Sequence, residues 1–75
     1  MKLFVLKPVK EWTPWYDKMF GIVVRAANAK NARRRASGSA ADEGAEVWLD
    51  PKQTTCEELR IDGAEQVILR DVWSA

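Results

Sequence analysis

The sequence contains no histidine. That removes the side chain most used as general base, zinc ligand and physiological pH switch. A single cysteine, Cys56, excludes an internal disulfide and a Cys-based metal cage. No apolar run approaches the roughly 18 residues of a membrane span. The opening stretch, Met-Lys-Leu-Phe-Val-Leu-Lys-Pro, lacks the longer apolar region and small-residue cleavage site of a signal peptide. A cytoplasmic location is expected. The glycines are scattered at 21, 38, 44 and 63, so no glycine-rich phosphate loop is present.

What remains is an ordinary globular mixture in 75 residues, with 47% hydrophobic and 31% charged side chains. That length makes one domain, residues 1–75. A chain this short buries only about 60% of the surface its unfolded form exposes, so its stability should be modest.

The net charge of +1 hides a segregation. Residues 1–37 carry nine cations against two carboxylates, a net +7; residues 38–75 carry three against nine, a net −6. Two arrangements fit. In one the halves neutralise each other in the fold, which is the commoner outcome; in the other they leave a dipolar surface. The position of Glu57, Glu58, Glu65 and Asp71 relative to the arginines decides between them.

Along the chain, Lys2–Val9 reads as a strand that is apolar on both faces, hence central. Residues 10–19 form an aromatic-rich connection interrupted by Pro14. Phe20–Ala27 is a second strand, with Ile22, Val24 and Ala26 on one face. Asn28 is a helix N-cap, and Ala29–Ser37 should be helical. Ala29, Ala32 and Ala36 give that helix a narrow stripe able to sit close to a sheet, and Gly38 marks its end. Residues 38–45 suggest a mobile loop, and Glu46–Leu49 a short extended piece before a turn at Asp50-Pro51. Thr54–Ile61 matches a capping box at Thr55 and Glu58 but also alternates as a strand; the following Asp62-Gly63 turn favours strand. Glu65–Trp73 completes the pattern as a last strand. The expected fold class is α+β: a four- to five-stranded, mostly antiparallel sheet with one helix packed on one face.

Chemistry is hard to assemble from these residues. The serines and threonines have no His partner. Two adjacent carboxylate pairs, Asp42/Glu43 and Glu57/Glu58, read as solvated surface, and neighbours on a strand point to opposite faces. Cys56 reads as a small half-buried hydrophobe. No catalytic residue, metal site or cofactor is expected, and the protein is expected not to be an enzyme.

Binding candidates are better defined. Lys30, Arg33 and Arg34 fall at i, i+3 and i+4 on the outer face of the helix, and Arg25 adjoins them from the preceding strand. Trp12, Trp15 and Tyr16 crowd into one loop beside Lys10 and Lys18, whereas Trp48 and Trp73 read as core. The plainer alternatives are a solvated helix face and an aromatic lid over a small core. A protein partner is expected first and nucleic acid second, with the chain a monomer or homodimer and no membrane involved.

The passage from Gly21 through Ile-Val-Val-Arg-Ala-Ala-Asn-Ala-Lys-Asn-Ala-Arg-Arg-Arg to Ala36 resembles a pattern of short uncharacterised bacterial and phage proteins. So do Asp42-Glu-Gly44, Trp48-Leu-Asp-Pro51, Thr55-Cys-Glu-Glu-Leu59 and Val67-Ile-Leu-Arg-Asp-Val72. Arg35 departs from it, since an apolar residue is expected near the helix end. Small phage proteins of this layout include anti-CRISPR inhibitors, an architectural analogy that assigns no site residues. It implies a small inhibitor that occludes a surface of a host nucleic-acid-handling complex, in a bacterial host cell if the chain is phage-encoded. The alternative is a small basic nucleic-acid-binding domain using the Arg-rich helix.

Overall fold

The computed structural model describes residues 1–10 and 18–70. They form a three-stranded antiparallel sheet in the order β2-β1-β3, with β1 at Lys2–Pro8, β2 at Ile22–Ala26 and β3 at Thr54–Glu58. The helix α1, Ala29–Ser37, crosses one face, and a single helical turn, α2 at Glu46–Leu49, packs beside it. The fold is α+β.

β1 is central because both its faces are apolar. Phe4, Val5 and Leu6 are all buried. Phe4 and Leu6 point to the helix side with Ile22, Val24 and Ala26, while Val5 shares the other face with Val23 and Glu57. Burying a side chain of that size contributes about 1.5–3 kcal/mol, so this strand is the main source of cohesion.

α1 starts where Asn28 accepts a bond from the Asn31 N–H at 2.8 Å, satisfying one orphan donor of the first turn. Ala32 and Ala36 have no exposed surface and meet Phe4, Leu6, Ala26 and Trp48. The small stripe is what lets helix and sheet approach. Gly38 ends the helix in a right-handed conformation, φ −72°, so termination there does not depend on glycine's freedom. Gly44 does use that freedom: its φ of +91° reverses the chain just after Glu43.

Three expectations are corrected. The sheet has three strands among the described residues, not four or five. Glu46–Leu49 is a helical turn rather than an extended piece. That turn swings Trp48 under α1, where the indole is fully buried, and core packing overrides the β preference of Val-Trp-Leu. Residues 65–70 adopt no regular structure, and 71–73 lie outside the described residues. Leu69 lies against Gly21, where an added Cβ would come within 2.5 Å of its Cδ1. Ile68 and Leu69 are half-buried there, so this segment buries apolar surface by packing and not by strand pairing. β3 forms as the alternation indicated but stops at Glu58, leaving Ile61 fully exposed.

Candidate functional site

Arg33 sits on the flank of α1 that faces β3. Its guanidinium donates to the Trp48 carbonyl at 3.0 Å, to Thr54 Oγ1 at 2.9 Å and to the Thr54 carbonyl at 2.9 Å. Thr54 is fully buried, and its hydroxyl donates onward to the Val47 carbonyl at 2.7 Å. The fork of donors suits two acceptors on one residue, which a lysine could not match. The expectation that Arg33 shares an outward face with Lys30 and Arg34 is therefore corrected. A helix advances 100° per residue, and position 33 falls next to the buried alanine stripe. Its reach to α2 and β3 makes it a tie inside the fold.

Glu43 is a second tie, and here too the structure overturns a solvated reading. Its carboxylate accepts from the Trp48 indole N–H at 2.6 Å, the Met19 N–H at 3.0 Å and the Ala41 N–H at 3.1 Å. Burial alone would raise its pKa; the bonds from Trp48, Met19 and Ala41 outweigh that and hold it below the ordinary value. The segment 38–45 is thus anchored through Glu43. Asp50 organises the next turn, accepting from the Gln53 side chain at 3.0 Å and the Lys52 N–H at 2.9 Å, and both bonds lower its pKa. Burial raises the Cys56 thiol, against an opposing pull from Arg33, which keeps it a poor nucleophile.

Arg25, Arg34 and Arg35 come together differently. With Val23, Asn31 and neighbouring backbone they line a groove of about 810 Å³ between the outer edge of β2 and α1. Arg25, Arg34 and Arg35 are exposed, as is Lys30 on the adjoining outer face of the helix. Among the described residues none of these four forms an ion pair; the pairs present are Lys2 with Glu58 and Arg60 with Asp62, each at 3.4 Å. Among the described residues no carboxylate lines the groove. Glu57 and Glu58 lie on β3, at the far side of the sheet, and their side chains point to opposite faces. They do not converge as an acid–base pair would need. Among the described residues no cluster of three or more metal-ligating side chains occurs, and no helix is long and apolar enough to cross a membrane.

Of the residues singled out from sequence, the structure brings Arg25 and Arg34 to one groove, keeps Lys30 beside it and turns Arg33 inward. Trp12, Trp15 and Tyr16 lie outside the described residues. Arg35 joins the groove although its sequence position reads only as a departure from the expected apolar helix end. The signal for it was geometric: it falls on the flank of the helix opposite Arg33, and β2 immediately precedes α1. No family model, curated protein or solved structure matches the chain.

Proposed function

We propose that this protein is a non-catalytic binding module that occludes an acidic surface of a nucleic-acid-handling protein complex. The observation that carries the proposal is the basic groove: Arg25, Arg34 and Arg35 line it, and among the described residues no carboxylate does. Lys30 extends the same positive surface over the helix. Arginine is among the residues in which interface energy concentrates, and an anchor of that kind contributes about 2 kcal/mol or more. Positive side chains also speed encounter with an acidic partner, an effect that salt weakens. The resemblance of its motifs is to short uncharacterised phage and bacterial proteins, and the analogy to anti-CRISPR inhibitors, which suggests a role in blocking a host complex, is one of layout alone. Trp12, Trp15 and Tyr16 would then serve as aromatic anchors.

The same cations would suit phosphates, so a basic nucleic-acid-binding domain is the second reading. The withdrawal of Arg33 into the fold removes one helix cation from both readings.

The experiment compares Arg34→Glu with Arg35→Glu, and separately Trp12→Ala with Trp15→Ala, against the parent protein. Each is titrated with a purified partner over a range of salt concentrations, and with random DNA and RNA in gel shifts. The charge-reversed protein should keep its melting temperature and lose partner binding by at least tenfold. Unchanged affinity in both folded double variants would place the contact surface elsewhere. Salt-sensitive binding to both nucleic acids, lost on charge reversal, would establish the second reading instead.

A further inference from the structure

We infer that the basic groove takes an extended acidic peptide segment of the partner, added as a fourth strand alongside β2. This rests on the binding role proposed for that groove and names its occupant. The first support is the direction of the backbone groups. The Leu59 N–H donates to the Leu3 carbonyl, and the Val9 N–H to the Gln53 carbonyl. Odd-numbered residues of β1 therefore turn their peptide groups toward β3, and even-numbered ones toward β2. Through the register Phe4 with Val24 and Leu6 with Ile22, residues 22, 24 and 26 spend their peptide groups on β1. Val23 and Arg25 point theirs outward, into the groove that they line.

The two sheet edges are not equivalent. On β3 the outward residues begin with Thr54, whose carbonyl is taken by Arg33 and whose N–H donates to the Asp50 carbonyl at 3.1 Å. That edge is closed at its start by α1 and the turn before β3. The β2 edge has no such cover among the described residues. A five-residue edge with outward donors and acceptors is a template for an incoming strand.

Charge selects the occupant. A strand beside β2 would turn alternate side chains toward Arg34 and Arg35 on the helix side. Carboxylates at those positions meet the guanidinium groups, and apolar residues on the other face lie beside Val23, which is 50% exposed. A second copy of this chain is disfavoured, because pairing β2 with β2 would bring two sets of Arg25, Arg34 and Arg35 together. Nucleic acid has no use for outward N–H and C=O groups in strand spacing.

The probe is a blocked, fluorescein-labelled peptide of seven alternating residues, Val-Glu-Val-Glu-Val-Glu-Val, read by fluorescence anisotropy. Controls replace Glu with Lys, or N-methylate the backbone at every second residue in each of the two possible sets. Val23→Pro removes an outward N–H that β1 does not use, so the strand should tolerate it. Expected is saturable binding of the Glu peptide, none of the Lys peptide, and about tenfold or greater loss with Val23→Pro. One N-methylated set should lose binding and the other keep it; this comparison leaves the protein untouched. If Val23→Pro and both methylated peptides bind as the parent does while Arg34→Glu with Arg35→Glu abolishes binding, strand addition is wrong and the basic binding surface stands. If charge reversal changes nothing either, both proposals fail. Absence of saturable binding up to about 1 mM overturns the inference, a limit worth only about 4 kcal/mol. Displacement of the peptide by a single-stranded oligonucleotide at lower concentration overturns it in favour of nucleic acid.

Discussion

Replacing Arg33 with alanine should cost the fold much of its stability while leaving the basic groove intact. The side chain makes three charge-assisted bonds, two to Thr54 and one to the Trp48 carbonyl. Bonds to charged groups contribute about 1.5–3 kcal/mol when measured singly, but one planar guanidinium acts as a unit and its bonds do not add. Thr54 has no exposed surface with Arg33 in place, so its carbonyl loses a charged donor and meets water only through the gap that the side chain leaves. A loss of about 3 kcal/mol follows. A domain of this length has roughly 4–11 kcal/mol in total. For a domain this small each kcal/mol shifts the melting temperature by about 4–8 °C, so the expected fall is roughly 12–24 °C. Urea unfolding followed by circular dichroism measures it. Arg33→Lys keeps the charge without the fork and should recover less than half. The cycle with Thr54→Val should show a coupling of about 1 kcal/mol, because both changes remove the bond from Arg33 to Thr54 Oγ1. A value for Arg33→Ala within about 0.5 kcal/mol of the parent would refute the reasoning, since that is the range of an ordinary surface substitution.

The Glu43 carboxyl is held below its ordinary pKa in the folded protein. Its contribution is therefore complete above the unfolded value, about pH 4.3, and is lost as pH falls through the folded one. Glu43→Gln should flatten the acid limb of a stability-against-pH curve, and an unchanged limb would show that other carboxylates set it. Ala32→Leu should destabilise by about 1–3 kcal/mol in urea unfolding, because that position is fully enclosed between α1 and the sheet. Gly21→Val should push Leu69 off the sheet, seen as faster proteolytic cleavage after residue 60 with the sheet intact. Unchanged cleavage would mean that the segment is held by other contacts.

What the sequence makes legible here is local. Asn28, the alanine spacing and Gly38 mark a helix whose bounds the structure reproduces, because a cap and a 3.6-residue period are written within a few residues. The central position of β1 follows from its two apolar faces in the same way. Glu43 and Arg33 were misplaced because their partners, Met19 and Thr54, lie far along the chain and only the tertiary fold brings them close. The alternation at residues 65–70 reports apolar side chains in need of cover, and it is silent on whether that cover comes from strand pairing or from lying across a sheet. The groove was half legible: Arg25 and Arg34 were visible as candidates, whereas the role of Arg35 depends on which flank of α1 faces β2.

The placement of β1 in the middle of the sheet also sets an order of assembly. β1 meets β2 across a connection of thirteen residues, but Val5 must wait for Glu57, roughly fifty residues on, before β3 can dock. Closing the longer loop costs about 3.5 kcal/mol of chain entropy before any bond repays it. Local pairing of β1, β2 and α1 comes first, and the Arg33 fork onto Thr54 closes last. Interactions that form after the folding barrier change how fast the native state comes apart and hardly affect how fast it is reached. A late-closing Arg33 fork should therefore show in the unfolding rate: Arg33→Ala is expected to speed unfolding more than it slows folding.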